Sequence, residues 1–217
     1  MELLLIRHGR PESQLATPGD GADPPLTARG RAEADLLGRY LAREHGVEIV
    51  YSSPMTRARE TAEAIRDHAR VPLHLEDRLR EFDHGAASYT PPELNTAPDE
   101  VKRMMWRALE TGVWGDHTFN PDVFEQRVSE AFDAIIVANA SSTVAVVCHS
   151  GVLNSFLGTV LGRPRGMFFQ PDYTSVSRVI ASGRRRQLLT LNETTHLKFA
   201  EGEAILAAPT KGTDVEH

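Results

Sequence analysis

Apolar positions along this chain follow two rhythms. Leu3-Leu4-Leu5-Ile6 and Val144–Cys148 are short unbroken apolar runs, the pattern of strands buried on both faces. Ala32, Leu36, Leu37, Tyr40 and Leu41 instead recur at helical spacing on one face. That helix opens at Thr27 and closes near Gly46, a C′ glycine. A strand is predicted at Val47–Tyr51. Ser53 then reads as an N-cap with Pro54 at N1, starting a helix that runs to about Ala69. A strand follows at Val71–Leu75, then helices over Asp99–Glu110 and Pro121–Ala140. Thr143–Cys148 is the most strand-like run, followed by a helix over Gly151–Leu161. Two late strands, Val176–Ala181 and Gln187–Leu191, flank a basic turn at Ser182–Arg186. The stretches from Pro11 to Pro25 and from Leu79 to Gly85 read as loop and turn.

Strands alternating with helices predict an α/β fold, a three-layer α/β/α sandwich with a mostly parallel central sheet. One domain is expected over residues 1–200, with an insertion at about 86–140 and a tail at 201–217. In such sheets, ligands bind at the C-terminal strand edge. Three loops leave that edge: after Ile6, after Tyr51 and after Cys148.

Those loops carry the candidate chemistry. The first holds Arg7-His8-Gly9, the second Ser53-Pro54-Met55-Thr56-Arg57-Ala58, the third His149-Ser150-Gly151. Two guanidinium groups, two imidazoles and a helix N-terminus suit a phosphate dianion, because arginine's fork of donors matches phosphate oxygens and free N–H groups at a helix start add more.

Composition narrows the class. The 217 residues carry 24 Lys and Arg against 30 Asp and Glu, a net charge of −6, so a nucleic-acid partner is not expected. The single cysteine, Cys148, excludes an internal disulfide framework and a four-Cys zinc site. No run approaches the ~20 apolar residues of a membrane span, and the first residues lack the pattern of a signal peptide. A cytoplasmic protein without a membrane partner is expected. Counting six from Cys148 gives Asn154, so a Cys-x5-Arg phosphatase loop is missing. Neither a Gly-x-Ser-x-Gly elbow nor a P-loop is present. Nine histidines show no zinc spacing, so neither a metal nor another cofactor is expected.

The ordered motifs resemble the histidine phosphatase superfamily, which includes the cofactor-dependent phosphoglycerate mutases. The resemblance rests on Leu-Leu-Ile-Arg-His-Gly at 4–9, Pro25-Leu26-Thr27-Ala28-Arg29-Gly30 and Ser53 to Ala62. It continues through Leu79-Arg80-Glu81-Phe82-Asp83-His84-Gly85, His149-Ser150-Gly151-Val152 and Asn192 to Leu197. It implies a phosphoglycerate mutase-like fold and a metal-independent phosphomonoesterase acting on a small phosphate ester. His8 would become phosphohistidine. Arg7, Arg57 and His149 would hold the phosphoryl oxygens with Gly9, and Glu81 would be the acid and base. The two arginines should keep His8 neutral and Glu81 ionised until a phosphate dianion arrives.

Some positions depart from the pattern. Gln14 stands where many members have an Asn near the phosphate. Arg10 is either a contact for a second anionic group or a solvated loop residue. His84 is either pocket lining or a turn residue. Trp106, Trp114, Met104 and Met105 are either an apolar wall over the substrate or the core of the insertion. The alternatives left open are a phosphomutase and a weakly active phosphate-binding or scaffolding relative. Oligomeric state is open too, a homodimer included.

Overall fold

The structure is a computed structural model that describes residues 1–16, 21–91 and 98–198. In chain order its elements are β1 (Glu2–Arg7), β2 (Gln14–Leu15), α1 (Ala28–Glu44), β3 (Ile49–Ser52), α2 (Thr56–Ala69), β4 (Leu73–Leu75), β5 (Ser88–Tyr89), α3 (Asp99–Thr111), β6 (Val113–Trp114), β7 (His117–Thr118), α4 (Pro121–Ala138), β8 (Thr143–Cys148), α5 (Ser150–Val160), β9 (Val176–Ser182) and β10 (Arg185–Glu193). The expected tail at 201–217 lies outside the described residues.

One six-stranded sheet has the order β10-β9-β1-β8-β3-β4. The strands β1, β8, β3 and β4 are parallel, and β9 and β10 close one edge antiparallel. Alternation along the central strands divides the core in two. Leu3, Leu5, Val144, Val146 and Cys148 pack with Phe132, Ile135 and Leu153 of α4 and α5. Leu4, Ile6, Ala145 and Val147 pack with Leu37, Leu41, Ala58 and Ile65 of α1 and α2. The unbroken apolar runs are thus explained by helices on both faces. The expected insertion ends in α4, which belongs to one helical layer through Phe124, Val128 and Phe132.

Two local expectations are corrected. Ser53 is not an N-cap: α2 starts at Thr56, and the Asp23 carboxylate accepts from the Thr56 N–H at 2.9 Å and from its hydroxyl at 2.8 Å. A distant carboxylate has replaced the local cap, and the Ser53 oxygen accepts only from the Met55 N–H, which leaves its proton to donate elsewhere. The strand expected at Val71–Leu75 begins at Leu73. Pro72 has no N–H to donate to the ladder and contributes its carbonyl to Val50 at 2.9 Å.

Candidate active site

The sheet holds the three motif loops past the strand ends. The His8 N–H reaches the Cys148 carbonyl at 3.0 Å, and the Ser53 N–H reaches that of Val147 at 3.0 Å. Arg7 pairs in register with Cys148. Arg7, His8, Ser53, Arg57 and His149 are all buried. The His8 and His149 rings lie 5.0 Å apart.

His8 is oriented by its own turn. Its Nδ1 lies 2.8 Å from the Gly9 carbonyl oxygen. A carbonyl can only accept, so Nδ1 carries the proton and Nε2 of the neutral ring keeps its lone pair. Burial, then the charges of Arg57 and Arg7, push the His8 pKa well below the usual imidazole value, so the ring is neutral at physiological pH. Gly9 is fixed in turn, its N–H donating to Thr61 Oγ1 at 2.9 Å. A Cβ on Gly9 would lie 2.7 Å from the Gly30 carbonyl oxygen. That close approach of the first loop to α1 is why both motifs carry glycine here.

Arg57 donates through Nη2 to both Asp83 oxygens, at 3.0 and 3.1 Å, and lies 4.6 Å from the Tyr89 ring centre. Arg7 donates through Nη1 to the Pro171 carbonyl at 2.6 Å and stacks on Tyr173 at 3.9 Å. His149 Nε2 lies 2.9 Å from Ser53 Oγ, which accepts from the Met55 N–H at 3.3 Å. This lets the Ser53 proton go to Nε2 and leaves the His149 proton on Nδ1. Nε and Nη1 of Arg57, Nε of Arg7 and Nδ1 of His149 are buried and have no hydrogen-bond partner among the described residues. Buried donors are costly when unpaired, and these four are of the kind that anionic oxygens would satisfy.

Glu81 shares the same cleft with Arg7, His8, Arg57 and Asp83. Its Oε1 accepts from the Phe82 N–H at 3.0 Å and its Oε2 from the Gly151 N–H at 2.7 Å. Those bonds and Arg57 favour the carboxylate, yet burial and the charge of Asp83 outweigh them and raise the pKa to about 7. The expectation that the arginines hold Glu81 ionised is therefore corrected. Burial is the larger cause, and the charge of Asp83 adds to it.

The family model for the histidine phosphatase superfamily (branch 1) matches residues 3–194. The chain belongs to this superfamily. It is 30% identical over 202 residues to phosphoserine phosphatase 1 of Hydrogenobacter thermophilus, covering 91% of this chain and 94% of that protein. Over 166 residues it is 28% identical to the probable phosphoglycerate mutase GpmB of Yersinia enterocolitica, covering 76% of each. Among solved structures, Bacillus stearothermophilus YhfR aligns with a TM-score of 0.71 at 26% identity, covering 91% of this chain and 99% of that one. The phosphoglycerate mutase-like α/β fold is thus shared with enzymes of this superfamily.

In this histidine phosphatase three of the candidate positions lie apart from the cleft. Gln14 is exposed on β2, where its Oε1 accepts from the Asp23 N–H at 2.8 Å. Arg10 is half-buried in the first loop, its backbone N–H bonded to Glu33 at 3.2 Å. His84 is exposed, and its N–H closes a turn on the Glu81 carbonyl. Ser53 lies against His149, Asp83 and Tyr89 against Arg57, and Tyr173 against Arg7. Asp83 carried a signal, since it stands two residues past Glu81 in the same turn. Tyr89, on the two-residue strand β5, and Tyr173 carried none, because the stretches around them show no period. The apolar candidates divide: Met105 and Trp114 line the cleft with Phe82 and Met167, whereas Trp106 is exposed. Among the described residues no cluster of three or more His, Cys, Asp or Glu side chains could hold a metal ion, and no helix is long and apolar enough to cross a membrane.

Proposed function

We propose that this histidine phosphatase hydrolyses a small phosphate monoester through a phosphohistidine on His8, without a metal. The observation that carries the reading is the opposed pair across one cleft. His8 is neutral with its lone pair on Nε2, and Glu81 has a carboxyl pKa near 7. Pairs of groups whose environments push their pKa values apart are the mark of assigned acid and base roles.

In the first step Nε2 attacks phosphorus as the bond to the leaving oxygen breaks, and protonated Glu81 gives its proton to that oxygen. In the second, Glu81 takes a proton from water as the water oxygen attacks phosphorus and the P–N bond breaks. Inorganic phosphate leaves and His8 is restored. Arg7, Arg57 and the His149 Nδ1–H bind the equatorial oxygens, which is most of the work in phosphoryl transfer. Gly9 contributes by fixing the turn that orients His8. A compartment like the cytoplasm fits the lone, buried Cys148 thiol, and the net charge of −6 fits a small-molecule rather than a nucleic-acid partner.

The test is acid quench after mixing with a 32P-labelled ester. Wild type should yield acid-labile, alkali-stable label, and His8→Ala should yield none and lose turnover. Activity should persist in EDTA and be inhibited by vanadate. Near-full activity in His8→Ala, or loss on chelation that zinc or magnesium restores, would overturn the reading. Interconversion of phosphoglycerates without net phosphate release would mark a mutase instead.

A further inference from the structure

The cleft has two chemically different halves. Its polar side is the cluster around His8. Its other side is Phe82, Met105, Trp114 and Met167. This apolar side is built rather than incidental. The ring of Phe82 stacks on Phe119 at 4.9 Å and 17° and meets Trp114 edge-on at 5.8 Å and 70°. Trp114 comes from the β6–β7 hairpin, whose turn holds Gly115 at φ +58°. His117, on the returning strand, sits with Nε2 2.8 Å from the Phe82 carbonyl, to which it donates. The hairpin therefore fixes Phe82 at its backbone and at its ring. Phe82 is also the residue whose N–H holds Glu81, so the wall stands next to the oxygen that Glu81 would protonate.

Resting on the phosphatase reading above, we propose that the wall binds the leaving group. The enzyme's substrates are phosphate monoesters whose alcohol carries an uncharged aromatic or branched apolar body. Burying apolar area against such a surface is favourable, and rings held in edge and stacked arrangements select other rings. A carboxylate on the leaving group would be penalised. Among the described residues lining the cleft the cations are Arg7 and Arg57, both in the His8 cluster, and Asp83 already places a carboxylate there. An ion moved from water onto Phe82, Met105 and Trp114 would lose hydration without a partner.

The experiment compares kcat/KM for 2-phenylethyl phosphate, ethyl phosphate and O-phosphoserine. All three release an alkyl alcohol, so leaving-group chemistry is held nearly constant. Wild type should favour the phenylethyl ester by about tenfold or more over each of the others, the scale on which one apolar pocket discriminates. Trp114→Ala and Met105→Ala should each reduce that ratio severalfold, while Trp114→Phe, which keeps a ring, should preserve most of it. Thermal melts identify any variant that fails to fold, and the other variants then carry the test. Equal or better turnover of ethyl phosphate or O-phosphoserine by wild type, with label on His8, would overturn the inference and leave the phosphatase reading standing. An unchanged ratio in all three variants would overturn it as well. No label on His8 from any ester would bring down the phosphatase reading itself, and this inference with it.

Discussion

The backbone N–H of Gly151 donates a 2.7 Å hydrogen bond to Oε2 of Glu81. The bond joins the first turn of α5 to the turn after β4, so Glu81, the proposed acid, and His149, the proposed phosphate contact, are placed by the same helix start. It also explains the glycine: a Cβ at 151 would lie 2.4 Å from Glu81 Oε1 and 2.6 Å from the Phe82 ring.

Gly151→Ala should therefore displace the acid without removing it. The expected outcome is a ~10- to 100-fold loss of kcat/KM on an alkyl phosphate, a range below the full value of general acid–base help. The far-ultraviolet circular dichroism should be unchanged. Full activity in a folded Gly151→Ala protein would show that Glu81 can act from elsewhere.

Glu81→Gln should cost ~10²–10⁴-fold on an alkyl phosphate and markedly less in the burst of p-nitrophenol from p-nitrophenyl phosphate, whose leaving group needs little protonation. Its pH dependence carries a sign. The first step needs protonated Glu81, so kcat/KM of wild type should fall as pH rises through about 7. The acid limb set by His8 should lie well below 6.5. Glu81→Gln should abolish the basic limb. A limb that persists in this variant would belong to another group.

The same carboxyl links stability to pH. Its pKa is raised from 4.5 to about 7 on folding, so the folded protein binds this proton more tightly than the unfolded chain. The stability it contributes is present below 4.5 and is lost as pH rises towards 7. Glu81→Gln, which stays neutral, should raise the melting temperature at pH 8 by removing a penalty of at most ~3 kcal/mol. It should change the melt little at pH 4.5. Equal effects at both pH values would show that ionisation of Glu81 is not the cause.

Asp83→Asn tests what sets that pKa. The Asp83 charge helps to raise the Glu81 pKa and also binds Arg57. Removing it should move the basic limb of kcat/KM to lower pH while phosphoenzyme still forms. A limb that stays in place would assign the Glu81 shift to burial alone.

The parts of this enzyme that show in the sequence are those where one residue type has one physical use. Leu3–Ile6 and Val144–Cys148 are apolar on both faces because helices cover both sides of β1 and β8. Arg7-His8-Gly9, Arg57 and His149 were readable because the loops that carry them leave one sheet edge. The misreadings are long-range substitutions for local chemistry. Ser53 has every feature of an N-cap, yet Asp23 caps α2 and Ser53 serves His149. Gln14, on β2, follows the first motif closely in sequence, but its Oε1 accepts from the Asp23 N–H and it is not among the residues lining the cleft. The raised pKa of Glu81 was not legible because the depth of its burial and the nearness of Asp83, which binds Arg57, appear only in three dimensions.

The pairing of Leu4 on β1 with Ala145 on β8 has a kinetic meaning. The two strands that carry His8 and His149 are separated by ~140 residues, and closing so long a loop is entropically costly before any contact rewards it. No locally folded fragment can bring these imidazoles together. The two imidazoles meet only when β1 and β8 pair at the sheet's centre, and such non-local parallel pairing is slow by contact-order arguments. A kinetic refolding experiment that follows activity and β-sheet signal together should find them rising in a single phase.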